Sequence, residues 1–395
     1  MNERNVNLGI MPSKIREIFE YAKNRKKEIG IDQVFDFSIG NPNAPAPKEV
    51  KESLISLLNN TDPVKLHGYT SNNGDKEVRG EIAKYLNKTY HTELSGDYIF
   101  LTCGAAAGLA ITFNTLLLAG DEVVTFAPHF PDYRVTIENI GAKLITCKTD
   151  DKFLPDYQDL ENKINDKTMI VLYNSPNNPT GVFYSEEVIK NIVKVVRKKS
   201  IEYGHPIYIL SDEPYRELLF DNQKYPFITN YYENSLVTYS FSKSASLPGE
   251  RIGYIVINPK CHDAYKIYKG VCGSAWSLGY IAAPSLFQFL IPFIQGHTSD
   301  LDFYKKNRDE LYNTLKEIGY EVNYPSGAFY MFVKALEDDA NKFCETAKEY
   351  ELLFVPSDSF GVKGYVRIAY CVNYQTIKNS KEAFRKLYHR YKGEK

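Results

Sequence analysis

The chain has 395 residues, of which 43% are hydrophobic and 25% are charged, and its formal net charge at pH 7 is −1. A chain of this length can bury a substantial core, and two domains are a reasonable expectation. The balanced charge gives no reason to expect a nucleic acid or an acidic membrane as partner, and no apolar run is long enough to span a bilayer.

Cysteines and histidines are scattered along the chain. The six cysteines form no Cys-x-x-Cys pair, and the seven histidines show neither His-Glu-x-x-His nor other ligand spacing. This pattern predicts reduced, mostly buried thiols and neither a disulfide framework nor a metal site. Because the N-terminus also has no signal-peptide core, we expect a cytoplasmic protein.

Strands and helices alternate through the middle of the chain. Residues 10–43 are predicted to form a helix followed by extended chain, and residues 185–199 form a helix with apolar residues at i, i+3, i+4 spacing. Strands are predicted at residues 122–126, 206–210, 235–239 and 251–257, and an amphipathic helix at 380–390 closes the chain. This alternation indicates a largely parallel sheet covered on both faces.

Two turns along this pattern carry polar groups. At residues 102–109 a turn leads into a helix start, where free backbone N–H groups and the helix dipole favour a phosphate. At residues 169–181 an apolar strand runs into Asn-Ser-Pro-Asn-Asn-Pro-Thr-Gly, which leaves Asn178 as a rigid amide at the strand end. Ordinary turn chemistry explains Asn-Pro pairs in general, but this whole run is much rarer than a generic turn.

The next strand ends in a carboxylate. Asp212 follows the apolar run at 207–210, so it is expected at the carboxyl edge of the sheet, where ligands bind in open α/β folds. There it could pair with the pyridine nitrogen of pyridoxal phosphate, and Tyr215 could donate to the ring oxygen. A helix N-cap is the alternative for Asp212.

Lys243 lies in Tyr-Ser-Phe-Ser-Lys-Ser, eight residues before Arg251. A lysine amine can form a Schiff base with the cofactor aldehyde, while neighbouring hydroxyls and an arginine hold its phosphate. A solvated surface lysine would be the simpler interpretation of this run alone. The other polar segments favour a pyridoxal phosphate site.

Taken together, these segments resemble the class I/II (fold type I) pyridoxal phosphate-dependent aminotransferases of the aspartate aminotransferase superfamily, over nearly the full length. The resemblance implies an α/β fold with a mostly parallel sheet between helices in a large domain, and a smaller α+β domain. We expect the large domain at residues 45–280 and the small domain at residues 1–44 and 281–395.

The resemblance also implies the site residues. Lys243, Asp212 and Tyr215 would be catalytic, and Gly40, Asn178 and Arg367 would bind the substrate, with Arg367 on its α-carboxylate. The residues expected to bind the cofactor are Tyr69, Gly104, Ala105, Ala106, Phe130, Asn178, Asp212, Tyr215, Ser240, Ser242, Lys243 and Arg251. Ala106 departs from the family pattern, which often has Ser or Thr there.

The expected activity is transfer of the α-amino group of an L-amino acid, aspartate or another, to a 2-keto acid by a ping-pong mechanism through a Lys243 Schiff base. Tyr69 would reach the cofactor of the neighbouring subunit, which implies a homodimer with shared active sites. A carbon–sulfur β-lyase on the same scaffold and a non-catalytic, cofactor-binding regulatory protein are the alternatives. Nothing singles out an arginine for the substrate side chain among Arg16, Arg79 and Arg134.

Overall fold

The computed structural model describes residues 1–10 and 14–393. Residues 11–13 of the predicted N-terminal segment and residues 394–395 lie outside the described residues. The described helices are α1 (Glu3–Ile10), α2 (Lys14–Ile29), α3 (Lys48–Asn60), α4 (Pro63–His67), α5 (Lys76–Tyr90), α6 (Ala105–Leu116), α7 (Asp132–Asn139), α8 (Tyr157–Lys163), α9 (Glu186–Tyr203), α10 (Phe241–Ser244), α11 (Ala264–Ser277), α12 (Ser285–Ile294), α13 (Leu301–Ile318), α14 (Ala340–Lys348) and α15 (Tyr374–Lys392). The strands are β1 (Phe35–Asp36), β2 (Ile99–Thr102), β3 (Glu122–Phe126), β4 (Lys143–Cys147), β5 (Thr168–Asn174), β6 (Tyr208–Asp212), β7 (Ser235–Ser240), β8 (Gly253–Ile257), β9 (Tyr330–Lys334), β10 (Leu352–Leu353), β11 (Val355–Pro356) and β12 (Tyr365–Ala369).

A seven-stranded sheet forms the centre of the larger part, with the strand order β2-β8-β7-β6-β5-β3-β4. The pairs from β7 through to β4 are parallel, whereas β8 is antiparallel to both β2 and β7. One face packs against α5, α9 and α12, and the other against α6, α7 and α11. The predicted fold class, a mostly parallel sheet between helices, is confirmed.

Helix α9 shows how the sequence produces one covering layer. Its apolar stripe, which includes Val188, Ile192 and Val196, is buried against the sheet. The Ser185 hydroxyl accepts the backbone N–H of Val188 at the start, and Gly204 ends the helix in the left-handed conformation at φ 71°. Only glycine adopts this conformation without steric cost, so the helix stops there.

The smaller sheet has the order β11-β12-β9, and β1 pairs with β10 beside it. The N-terminal segment therefore joins the C-terminal part of the chain through this strand pair. Helix α15 is longer than the predicted 380–390, because Asn373 caps it and Ile377 is buried in the first turns. Helix α12, by contrast, packs on α3 and α5, on the side of the large sheet.

No described helix combines the length and the apolar character that crossing a membrane requires.

Candidate active site

A cavity of about 390 Å³ lies at the carboxyl ends of β5, β6 and β7. Every site residue predicted above lines it except Tyr69 and Gly104. Further lining comes from residues to which the sequence assigned no role: Ile15, Ile39, Asn41, Leu109, Asn174, Pro214, Pro248 and Tyr330. The strands bring the predicted residues together because parallel strands end at one edge of the sheet.

Lys243 lies in the short helix α10, directly after β7. Its Nζ atom donates a hydrogen bond to the carbonyl oxygen of Gly40, 2.7 Å away. Burial lowers the pKa of the Lys243 ammonium to about 8, and the positive charges of Arg367 and Arg251 also lower it. The neutral amine that a nucleophile or general base requires is therefore a minority form at pH 7, but it is far more abundant than for a lysine of ordinary pKa.

Asp212 is the last residue of β6 and is buried. Its carboxylate accepts hydrogen bonds from Tyr133 Oη at 2.6 Å and from Thr238 Oγ1 at 3.2 Å. Burial raises the pKa of Asp212 to about 6, although these two donors oppose the rise. In the described part of the chain no helix begins directly after Asp212, so this residue is not an N-cap.

The N-terminus of α6 and the loop around Arg251 face one another. Gly104 precedes α6 at φ 85°, and a Cβ atom added there would lie 2.6 Å from Arg251 Nη2. Arg251 donates to the carbonyls of Pro248 and Cys103, and Ser240 and Ser242 share a hydrogen bond of 2.6 Å beside it. Free helix N–H groups, two hydroxyls and a guanidinium make a donor set suited to a phosphate, even without a hydroxyl at Ala106.

Arg367, on β12, is buried beneath the other side of the cavity. Its Nη1 donates to Asn178 Oδ1 at 3.0 Å and its Nη2 to the carbonyl of Ser38 at 2.6 Å. Its Nε has no hydrogen-bond partner in the described part of the chain. A buried guanidinium with a free N–H is suited to bind a carboxylate.

Tyr133 and Tyr330 are the principal site residues that sequence reasoning missed. Tyr133 bonds Asp212, and the Tyr330 hydroxyl lies 2.9 Å from that of Tyr215. Both lie in segments that the family resemblance covers. Tyr133 is three residues after Phe130, which is assigned to the cofactor, and Tyr330 begins β9 of the smaller sheet. The sequence shows no signal for their hydroxyls, because each contact joins distant parts of the chain.

The remaining candidates lie away from the reacting groups. Arg79 is buried and bonds the carbonyls of Gly74 and Gly96, and Arg134 pairs with Glu138 on α7. Arg16 is exposed, and none of the three arginines lines the cavity. Tyr69 is 97% exposed.

Residues 1–10 and 14–393 contain no cluster of His, Cys, Asp or Glu side chains that could hold a metal.

Known proteins resemble this chain over most of its length. The aminotransferase class I and II family profile matches residues 32–384. The aspartate aminotransferase of Pyrococcus horikoshii is 31% identical over 94% of this chain and 93% of its own length. The probable aspartate aminotransferase of Methanocaldococcus jannaschii is 30% identical over 94% and 96% of the two chains. The crystal structure of an aminotransferase from Eubacterium rectale has a TM-score of 0.97 at 51% identity, covering 99% of both chains.

Proposed function

The chain belongs to the class I and II aminotransferase family, and from this premise we propose that the cavity around Lys243 is its active site. The protein is an enzyme, a transaminase that uses pyridoxal 5′-phosphate and acts on small amino and keto acids. The observation that supports the proposed site best is the convergence in one cavity of a buried amine, a buried carboxylate and a partly unpaired guanidinium.

The residues around the cavity fit this cofactor. Ser240, Ser242, Arg251 and the start of α6 would hold the phosphate. Asp212 would pair with the pyridine nitrogen, Tyr215 and Asn178 would bond the ring oxygen, and Phe130 would stack on the ring. When bound, the cofactor supplies a cationic ring that accepts electrons from the substrate α-carbon.

Three side chains then have separate tasks. Arg367, which lines the cavity, would bind the substrate α-carboxylate with its guanidinium and so orient the α-carbon. Lys243, with its lowered pKa, would remove the α-proton as a neutral amine and hold it as an ammonium. Asp212, as a carboxylate, would keep the pyridine nitrogen protonated, so its effect would fall on kcat more than on KM.

We infer that L-aspartate is the first amino donor to test, because several relatives of about 30% identity are named aspartate aminotransferases. Another relative, of 29% identity, is a probable N-acetyl-LL-diaminopimelate aminotransferase from Bacillus subtilis, so the donor panel should be broad. The keto acid acceptors to test are 2-oxoglutarate and pyruvate, and the measurement is the formation of the new keto acid.

The assembly we propose is a cytoplasmic homodimer in which Tyr69 completes the partner's site. In support, Tyr69 is almost fully exposed and does not line the cavity of its own chain. We also propose the domain division at residues 45–280 against 1–44 and 281–395, with α12 packing back on the large domain.

Amino transfer is tested by withholding the acceptor. One donor alone should release keto acid for a single turnover per site and then stop, and lines for different acceptor concentrations should be parallel in double-reciprocal plots. Lys243→Ala is the matched control and should release none. Continuous ammonia release from a cysteine-like donor without acceptor would instead show a β-lyase.

A further inference from the structure

Tyr330 begins β9 in the small sheet and lines the cavity, yet its hydroxyl has no part in the roles proposed above. Its side chain is only 2% exposed. Its hydroxyl lies 2.9 Å from that of Tyr215, and the two rings meet edge to face with centroids 5.7 Å apart. Tyr330 of the small sheet is therefore in contact with Tyr215, which follows β6 of the large sheet.

The number of hydroxyl protons decides which of the two tyrosines donates the hydrogen bond. Each phenol has one proton to donate. If Tyr215 donates its proton to the ring oxygen of the cofactor, the hydrogen bond between the two tyrosines must be donated by Tyr330. A hydroxyl that accepts a hydrogen bond becomes a stronger donor in turn, so Tyr330 would strengthen the bond that Tyr215 makes.

Tyr330 also touches two other parts of the site. A Cβ atom added at Gly40 would collide with the Tyr330 hydroxyl, so the glycine backbone packs directly on the phenol. The carbonyl of that glycine accepts the Lys243 amine at 2.7 Å. The guanidinium of Arg367 lies 4.8 Å from the centre of the Tyr330 ring.

We propose that Tyr330 is a positioning residue that orients the Tyr215 hydroxyl toward the cofactor and supports the backbone on which the Lys243 amine rests. This inference rests on the proposed assignment of Tyr215 to the cofactor ring oxygen. Stabilising negative charge on that oxygen lets the bound cofactor lose its proton at lower pH. Losing the Tyr330 hydroxyl should therefore raise the pH at which the visible absorption of the holoenzyme changes.

The experiment is an absorbance titration of the purified holoenzyme with Tyr330→Phe, Tyr215→Phe and the double variant. Tyr330→Phe should raise the midpoint by roughly 0.3 to 1 pH unit, the size expected for one hydrogen bond. Tyr215→Phe should raise it further, and the double variant should match Tyr215→Phe. The kcat of Tyr330→Phe should fall roughly 2- to 10-fold with little change in KM.

Tyr320→Phe is the matched control, since Tyr320 is also buried and donates to the carbonyl of Phe384 away from the cavity. A Tyr330→Phe midpoint equal to that of this control, or additive shifts in the double variant, would overturn the inference and leave the Tyr215 assignment standing. If the midpoint of Tyr215→Phe equals that of the wild type, both the role of Tyr330 and the assignment of Tyr215 to the ring oxygen are wrong. If Tyr330→Phe does not fold, a fluorotyrosine at 330 is a stronger donor and should lower the midpoint, and an unchanged midpoint would refute the role.

Discussion

Asp212 accepts hydrogen bonds from donors on two elements beside it in the large sheet and its covering helices. Tyr133, at the start of α7, makes the shorter hydrogen bond, and Thr238 on β7 makes the longer one. Both bonds favour the ionised carboxylate, whereas burial raises the pKa of Asp212 to about 6. Tyr133 thus helps to keep the charge that the pyridine nitrogen needs, in a place where burial opposes it.

Tyr133→Phe should raise the pKa of Asp212 above its value of about 6, by roughly one unit or less. The neutral acid pairs poorly with a protonated pyridine. As the pH is lowered, cofactor affinity should therefore begin to fall at a higher pH in the variant than in the wild type. Equilibrium dialysis of the apoprotein with pyridoxal phosphate between about pH 5 and pH 8 measures this. Tyr232→Phe, which removes a buried hydroxyl bonded to the carbonyl of Ile207, is the control. Identical curves for all three proteins would contradict the role of Tyr133.

Substitutions of Arg367 should distinguish substrate binding from cofactor binding. Arg367→Leu should cost about 2–5 kcal/mol of transition-state binding, a loss of roughly 30- to 4,000-fold in kcat/KM, because the substrate carboxylate loses a desolvated partner. Arg367→Lys should lose less, since it keeps the charge without the fork. Both holoenzymes should keep the visible absorption band of the bound cofactor. Loss of the cofactor band would place Arg367 in the cofactor site instead.

At the scale of elements, the sequence predicts those site residues that lie at or just after the end of a strand. Asp212 is the last residue of β6, and Asn178 and Lys243 come shortly after β5 and β7; the carboxyl ends of these strands meet at one edge. Tyr133 and Tyr330 could not be found in this way, because their partners lie 79 and 115 residues away in the chain. Apolar runs likewise do not reveal strand direction, so the antiparallel β8 was not foreseen.

The turn that follows β6 carries a buried ion pair on the opposite side from Asp212. Arg216 Nη1 lies 3.0 Å from Glu213 Oε2, and its Nη2 lies 3.1 Å from Glu217 Oε1. The guanidinium also stacks 4.1 Å from the ring centre of Tyr239. Successive residues at a strand end point to opposite faces, so Asp212 faces the cavity and Glu213 faces this pair.

Arg216→Met should destabilise the apoprotein by about 3–5 kcal/mol at pH 8, because Glu213 is left as an unpaired buried carboxylate. Burial already raises the pKa of Glu213 to about 7 with Arg216 present, and the substitution should raise it further. In the unfolded chain the Glu213 carboxyl has its ordinary pKa of 4.5, so the penalty is full above the raised folded pKa and shrinks as the pH falls from there toward 4.5. Urea unfolding at about pH 5.5 and pH 8 measures the difference. Adding Glu213→Gln should restore part of the stability at pH 8, and a pH-independent loss would argue against this account.

At the scale of the whole molecule, the active site that we propose to be shared between two subunits is a property that a single chain cannot display. Tyr69 lies 97% exposed in the loop after α4 and outside the cavity. Exposed apolar side chains such as Val64 and Trp276, 81% and 72% exposed, occur on α4 and α11. A second copy covering such surfaces would bury them and bring in Tyr69.

Two inactive variants should therefore rescue each other. In a homodimer with shared sites, a chain carrying Lys243→Ala and a chain carrying Tyr69→Ala form one hybrid site with both defects and one with neither. After mixing under conditions that exchange subunits, the activity should rise to about one quarter of the wild-type value, because about half of the dimers are hybrids and each has one intact site. Mixing Lys243→Ala with Asp212→Asn is the control and should restore nothing, since both residues belong to the same chain's cavity. If the Tyr69 mixture shows no gain although light scattering finds dimers, Tyr69 does not serve the partner's site.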